Sequence, residues 1–241
     1  MPAGVRIGFR PLAADRAILP SESRLSLVET RNTTRICMVR HGETDWNVEK
    51  RIQGHIDISL NDAGLAQADA AAAGLAGHEF HAAYSSDLDR AWQTALAIGR
   101  RRGLAVRRAP GLRERHYGVL QGLTTAEVAV RYPTAYAHYL ARTPDHNFKT
   151  GESLVEFAAR IVAAIEALAA EHPGETVLLV SHGGVLDICY RRATGRDLMA
   201  PRDFAIPNAA LNWFEVGPDG WHLLTWADRS HLLRSLEESP E

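Results

Sequence analysis

Arg35-Ile36-Cys37-Met38-Val39-Arg40-His41-Gly42-Glu43-Thr44 decides how the rest of the chain is read. The apolar run 36–39 has the length and β-branched content of a buried strand. It stops abruptly at Arg40-His41-Gly42, so these side chains stand where a strand gives way to a loop. In an open α/β sheet, ligands bind outside the carboxyl ends of the strands. Gly42 allows a tight turn and close approach of another group. A guanidinium beside an imidazole suits the holding of a phosphate and nucleophilic attack on it. Taken alone, the tripeptide reads equally well as a structural turn.

A second apolar run, Glu175-Thr-Val-Leu-Leu-Val-Ser181, also ends in a histidine, His182-Gly183-Gly184. Two strands that both end in His-Gly, side by side in one sheet, would bring two imidazoles to one small volume. Between them the periodicity alternates. A helix runs from a cap at Ser59 or Asn61 to about Leu75, closed by Gly77, and is followed by a strand at 81–86. Ser86 or Asp87 is the expected cap of a helix carrying Leu88, Ala91, Trp92, Ala95 and Ile98 at helical spacing. A third strand is expected at 104–108, a helical pattern broken by Pro133 at 124–140, and a long amphipathic helix at about 153–171. The residues after His182 read as a helix capped by Gly195. The stretches 209–216 and 221–226 read as a hairpin turning at Gly217-Pro218-Asp219-Gly220. Strands alternating with helices specify a three-layer αβα sandwich. Its central sheet is mostly parallel with an antiparallel edge strand, and a helical cover lies over the strand C-terminal ends.

The chain has 241 residues, 46% hydrophobic and 23% charged, enough for one large domain with a substantial core. We expect a poorly packed extension over 1–34, a single catalytic domain over 35–233 with the cover inserted at about 117–150, and a tail over 234–241. The net charge of −2 argues against a nucleic-acid footprint, so anion binding must come from a few clustered arginines. No apolar run approaches the roughly 18 residues of a membrane span. Cys37 and Cys189 both lie in apolar runs without a CxxC partner, which reads as buried core thiols in a reducing cytoplasm. Histidine spacing matches no zinc motif, and glycine-rich nucleotide loops are absent. Neither a metal nor a cofactor is therefore expected.

Further stretches are Asn47, Ser86-Asp87-Leu88-Asp89-Arg90-Ala91-Trp92-Gln93-Thr94 and Leu112-Arg113-Glu114. With Arg40-His41-Gly42 and Ser181-His182-Gly183, these five motifs resemble, in order, those of the histidine phosphatase superfamily, which includes phosphoglycerate mutases. The resemblance covers about 35–230. It implies that His41 is the nucleophile that takes up the phosphoryl group. Arg40, Arg90 and His182 would bind the phosphate oxygens, with Asn47 and Gly183 beside them. Glu114 would protonate the leaving oxygen and later activate water. The chemistry agrees with these roles. An imidazole attacks only when neutral, and neighbouring guanidinium groups hold its pKa down. A transferring phosphoryl group needs positioning and charge neutralisation above all. Glu114 must carry a proton at neutral pH, and the dianionic substrate beside it favours that form, so its role as donor is expected only with phosphate bound.

Gln53 and Gly54 fall where the family's substrate loop lies, and Tyr117 follows Glu114 by three; each reads equally as a substrate contact or as part of the scaffold. His116 is expected to be an exposed loop residue. The run 112–122 looks much like cofactor-dependent phosphoglycerate mutases, but Thr124-Thr125 stand where those enzymes carry a lysine. The stretch 141–151 offers only Arg142 and Lys149 in place of a pair of arginines. Fewer cations and a shorter cover favour water as the acceptor. The expectation is a phosphomonoester hydrolase acting on a small phosphorylated metabolite through phosphohistidine. Mutase activity is the alternative, and a non-catalytic phospholigand- or protein-binding role a remote one. The identity of the phosphoester is not legible, nor is the oligomeric state; a homodimer is one assembly left open.

Overall fold

Six short runs become the strands of one sheet in a computed structural model that describes residues 32–237. They are β1 (Thr34–Arg40), β2 (Ala82–Ser85), β3 (Val106–Arg108), β4 (Thr176–Ser181), β5 (Leu211–Gly217) and β6 (Gly220–Asp228). Their order across the sheet is β3-β2-β4-β1-β5-β6. The first four are mutually parallel, and β5 runs antiparallel to both β1 and β6. The antiparallel edge is thus the β5–β6 hairpin. The expected extension over 1–34 lies outside the described residues except for 32–34, and Thr34 already belongs to β1.

Helices cover both faces. α1 (Asp45–Val48), α2 (Asp62–Gly74), α3 (Asp89–Arg102), α4 (Thr125–Arg131), α5 (Pro133–Leu140), α6 (Leu154–Ala170), α7 (Gly183–Thr194) and α8 (Ser230–Glu237) follow in chain order. Because β1 and β4 are covered on both sides, their side chains are apolar almost without alternation. Ile36, Met38, Val177 and Leu179 pack with Phe157, Ile161 and Ile165 of α6 and Val185 and Leu186 of α7. Cys37, Val39, Leu178 and Val180 pack on the other face with Ala71 and Ala72 of α2 and Ala91, Ala95 and Ile98 of α3. The alanines of α2 let that helix lie close to the sheet. Cys37 and Cys189 are free and fully buried, and burial pushes both thiols up, away from reactivity.

The caps show where local chemistry sets each boundary. Asn61, not Ser59, caps α2 by accepting the Gly64 N–H, and the helix ends at Gly74, before Gly77. Ser153 and Glu156 form a reciprocal capping box on α6. Gly195, at φ 67°, ends α7 in the left-handed region. Pro133 opens α5, splitting the helical pattern of the cover in two. α3 departs from expectation: its N-cap is Leu88, with no side-chain cap. Asp87 is held by the Arg113 fork, while Ser86 accepts only the Leu88 N–H at 3.3 Å and faces His182. The cover has its own small core of Ile52, Leu120, Val128 and Phe148, against which Tyr117, Tyr132, Tyr136 and Tyr139 pack.

Candidate active site

Register brings the two strand-end histidines together. Arg40 pairs with Ser181 across β1 and β4, and the His41 N–H donates to the Ser181 carbonyl at 2.9 Å. One residue further on, the His41 and His182 rings lie 5.2 Å apart, centroid to centroid. The Nδ1 of His41 lies 2.7 Å from the Gly42 carbonyl. A carbonyl only accepts, so Nδ1 carries the proton and the lone pair is on Nε2. Gly42 is needed for this turn: a Cβ there would stand 2.3 Å from the Gly64 carbonyl oxygen. The His41 backbone is fixed from the other side by Asn208, whose Nδ2 donates to the His41 carbonyl and to Asn47 Oδ1. Asn47 itself closes the Thr44 capping box of α1.

Two guanidinium groups flank the imidazoles. Arg90 is only 1% exposed and donates to the carbonyls of Gly54 (2.8 Å) and Ile56 (3.1 Å). Arg40 donates to the Ile206 carbonyl. These backbone anchors fix both side chains without neutralising either one. Burial pushes both guanidinium groups down to about 10, which still leaves them charged at neutral pH. His41 is held well below the usual histidine range, first by burial and then by the Arg90 and Arg40 charges. His182 is depressed likewise by burial, Arg90, His41 and Arg40. Both imidazoles are therefore neutral at pH 7. Arg40 Nε, Arg90 Nε and His182 Nδ1 are buried without a hydrogen-bond partner. Buried nitrogens of this kind are ordinarily satisfied, so donors left unmet on three side chains at the strand ends are in keeping with an anion as their partner.

Glu114 closes the site from the other side. Its carboxylate accepts the Gly184 N–H at 2.9 Å and the Arg115 N–H at 2.8 Å. Its carbonyl is bonded by His55 Nε2 and by Arg160. Arg160 also donates to the carbonyls of Gly111 and Arg113, and Glu152 holds its guanidinium by a two-pronged ion pair. This buttress fixes the loop that presents Glu114.

Arg40, His41, Arg90, Glu114, Tyr117 and Gly183 line a cavity of about 760 Å³, which Asn47, Gln53 and Gly54 also reach. Gln53 is tied to Thr44 Oγ1, and the Gly54 carbonyl serves Arg90, so both support the site as well as line it. The Tyr117 ring packs near Tyr139 and Phe148, and burial raises its hydroxyl well above the usual tyrosine range. Arg142 also lines the cavity, but Asp187 and the Leu198 carbonyl hold its guanidinium. His116 is not the exposed loop residue expected. It is half-buried edge-on to His55, with its Nδ1 accepting the Gly118 N–H.

Residues 36–229 match the model of the histidine phosphatase superfamily, branch 1. The chain is an enzyme of the histidine phosphatase superfamily. Within that superfamily it is 42% identical over 202 residues to a metal-independent phosphoserine phosphatase of Arabidopsis thaliana, covering 83% of both chains. It is 40% identical over 201 residues to phosphoglycerate mutase-like protein 4 of the same plant, covering 82% of this chain and 86% of that one. Among solved structures it is similar to a phosphoserine phosphatase of Entamoeba histolytica in complex with phosphoserine. The TM-score is 0.75 and the identity 26%, over 83% of this chain and 99% of that one. Among the described residues, no helix is long and apolar enough to cross a membrane, and no cluster of three or more His, Cys, Asp or Glu side chains is arranged to hold a metal ion.

Several residues of this histidine phosphatase site escaped sequence reasoning. Asn208 lies in an irregular stretch that carries no periodic signal. Ser86 reads from sequence as a helix cap, whereas its hydroxyl faces His182. Arg160 had a usable signal: it follows Glu152 by eight residues, about two helical turns, on the helix that the Gly151-Glu152-Ser153 turn begins.

Proposed function

We propose that this histidine phosphatase hydrolyses a small phosphomonoester through a phosphohistidine on His41. The observation that carries the proposal is the orientation of His41. Its Nδ1–H is spent on the Gly42 carbonyl, so a neutral Nε2 lone pair stands in a pocket with two charged guanidinium groups. Arg40, Arg90 and His182 hold the phosphoryl oxygens and take up charge as the transfer proceeds. His41 Nε2 attacks phosphorus, and the bond from phosphorus to the ester oxygen breaks. The proton of the Glu114 carboxyl passes to that leaving oxygen. In the second half, Glu114 takes a proton from water, the water oxygen attacks phosphorus, and the P–N bond breaks to release inorganic phosphate and neutral His41. No metal ion enters any of these steps.

Of the cations lining the cavity beyond the phosphate pocket, Arg51 is paired with Glu49 and Glu127 and Arg142 with Asp187, while Lys50 and Arg202 form no ion pair among the described residues. Support for hydrolysis over intramolecular transfer therefore comes from the phosphatase relatives, and assay decides it. The decisive test is a panel of phosphoserine, 3-phosphoglycerate and an aryl phosphate, assayed with wild type and His41→Ala. Phosphate release from the panel, abolished in the variant, is the expected result. Isomerisation of 3-phosphoglycerate outrunning phosphate release would overturn it.

A further inference from the structure

We infer that Ser86 is a positioning residue that fixes the tautomer of His182 and so turns its Nδ1–H toward the phosphoryl group. The inference rests on the reading of His182 as a phosphate ligand. β2 and β4 are neighbours, with Ser85 opposite Val180, and the Ser86 N–H extends the ladder to the Val180 carbonyl at 3.0 Å. Ser86 therefore stands beside the end of β4, fully buried, with its Oγ 2.8 Å from His182 Nε2.

Distance alone does not say which atom donates, but the surroundings do. The Oγ already accepts the Leu88 N–H. Its remaining asset is its own proton, and among the described residues the acceptor within hydrogen-bond distance is His182 Nε2. If Nε2 carried the hydrogen instead, the hydroxyl proton would be buried with no acceptor, and His182 Nδ1 would be a buried lone pair with no donor. Leaving buried polar groups unmet is costly. With the proton on Nδ1, every group is satisfied but one: the Nδ1–H, in a ring beside His41, Arg40 and Arg90. His182 is fully buried and stands behind the cavity lining of Arg40, His41 and Arg90, and a phosphate oxygen seated against those side chains is the acceptor we assign to it. The two histidines thus share one tautomer and use opposite ends of it. His41 offers the Nε2 lone pair, and His182 offers the Nδ1 proton. This also accounts for the absence of a side-chain cap on α3, because the serine next to its start is committed elsewhere.

The test is nitrogen-15 NMR of histidine-labelled protein, with the His182 signals assigned by loss in His182→Gln. Wild type should show a protonated Nδ1 and a bare Nε2 at His182. Ser86→Ala should shift the tautomer balance and lower kcat/KM by up to about 10²–10³-fold, the cost of losing an aligned donor outright. Ser86→Thr, which keeps the hydroxyl, should restore most of both. The wild-type spectrum decides the matter even where a variant folds poorly. A protonated Nε2 in active wild type, or a Ser86→Ala protein with unchanged tautomer and rate, would overturn the assignment. An unchanged kcat/KM in His182→Gln would instead overturn the reading of His182 as a phosphate ligand beneath it.

Discussion

Gly184→Ala should separate catalysis from stability. A Cβ at this position would lie 2.1 Å from Glu114 Oε1 and 3.0 Å from its carboxyl carbon. The colliding atoms are the end of a flexible side chain, so the helix stays and the carboxylate gives way by roughly 1 Å, a misplacement that can cost about a hundredfold in rate. Stability falls as well. Alanine gains up to ~1 kcal/mol over glycine in a helix, against about 1.5–3 kcal/mol for the lost bond between the Gly184 N–H and the carboxylate. The net loss is about 0.5–3 kcal/mol. Catalysis loses more, because a misplaced general acid forfeits about 10²–10⁴ in rate. The assay compares kcat for an alkyl phosphate, whose leaving oxygen needs the proton, with that for an aryl phosphate, which needs it less. The alkyl ester should slow by about 10²-fold or more and the aryl ester far less. Adding Glu114→Gln should cost little beyond Glu114→Gln alone, since both act on one group. An equal loss on both esters, or fully additive losses, would refute the reasoning.

Because His41 sits well below the ordinary histidine range, kcat/KM should hold steady as pH falls through 6.5 and decline only further into acid; a pH–rate profile with an acid limb at 6.5 or above would contradict this. Stability follows from the same depression. Below about pH 6.5 the unfolded chain binds protons that buried His41 and His182 refuse, so unfolding free energy should fall by up to ~1.4 kcal/mol per pH unit for each, until the folded-state values are reached. Urea titrations between pH 7 and 5, against His182→Gln, check the sign. Arg160→Lys removes the planar fork that holds Glu152 and three carbonyls, and should lower kcat about tenfold on alkyl esters with KM little changed. An unchanged kcat in steady-state kinetics would show that the buttress is dispensable.

What the chain discloses on its face follows from the physics of each part. β1 and β4 are legible because a strand buried on both sides must be apolar at nearly every position, and each is followed directly by its histidine. Their adjacency is not local information. It depends on register across a parallel pair 141 residues apart, Arg40 opposite Ser181, and only the ordered set of motifs suggested it. The Asn61 cap, the Pro133 break and the Gly195 stop are local signals, and each was readable. The short strand β3 falls within the expected 104–108, whereas the single-turn α1 has too few residues for a period to emerge. The supporting shell was largely hidden. Asn208 and Ser86 act through hydrogen bonds to groups far away in sequence, which no spacing rule encodes, and of the Arg160 contacts only the pair with Glu152 carries a spacing signal. Ser86 shows the cost of local reasoning: a serine just before a helix is ordinarily a cap, yet here a histidine 96 residues away claims its hydroxyl.

The central claim is a covalent bond between phosphorus and His41 Nε2. Rapid mixing of wild-type enzyme with a phosphomonoester, quenching in base and peptide mass spectrometry would measure it directly. A phosphoryl adduct on the peptide bearing His41, labile in acid, formed at least as fast as turnover and absent from the peptide bearing His182, is the predicted result. Steady hydrolysis with no adduct on His41, or an adduct on His182 instead, would contradict it.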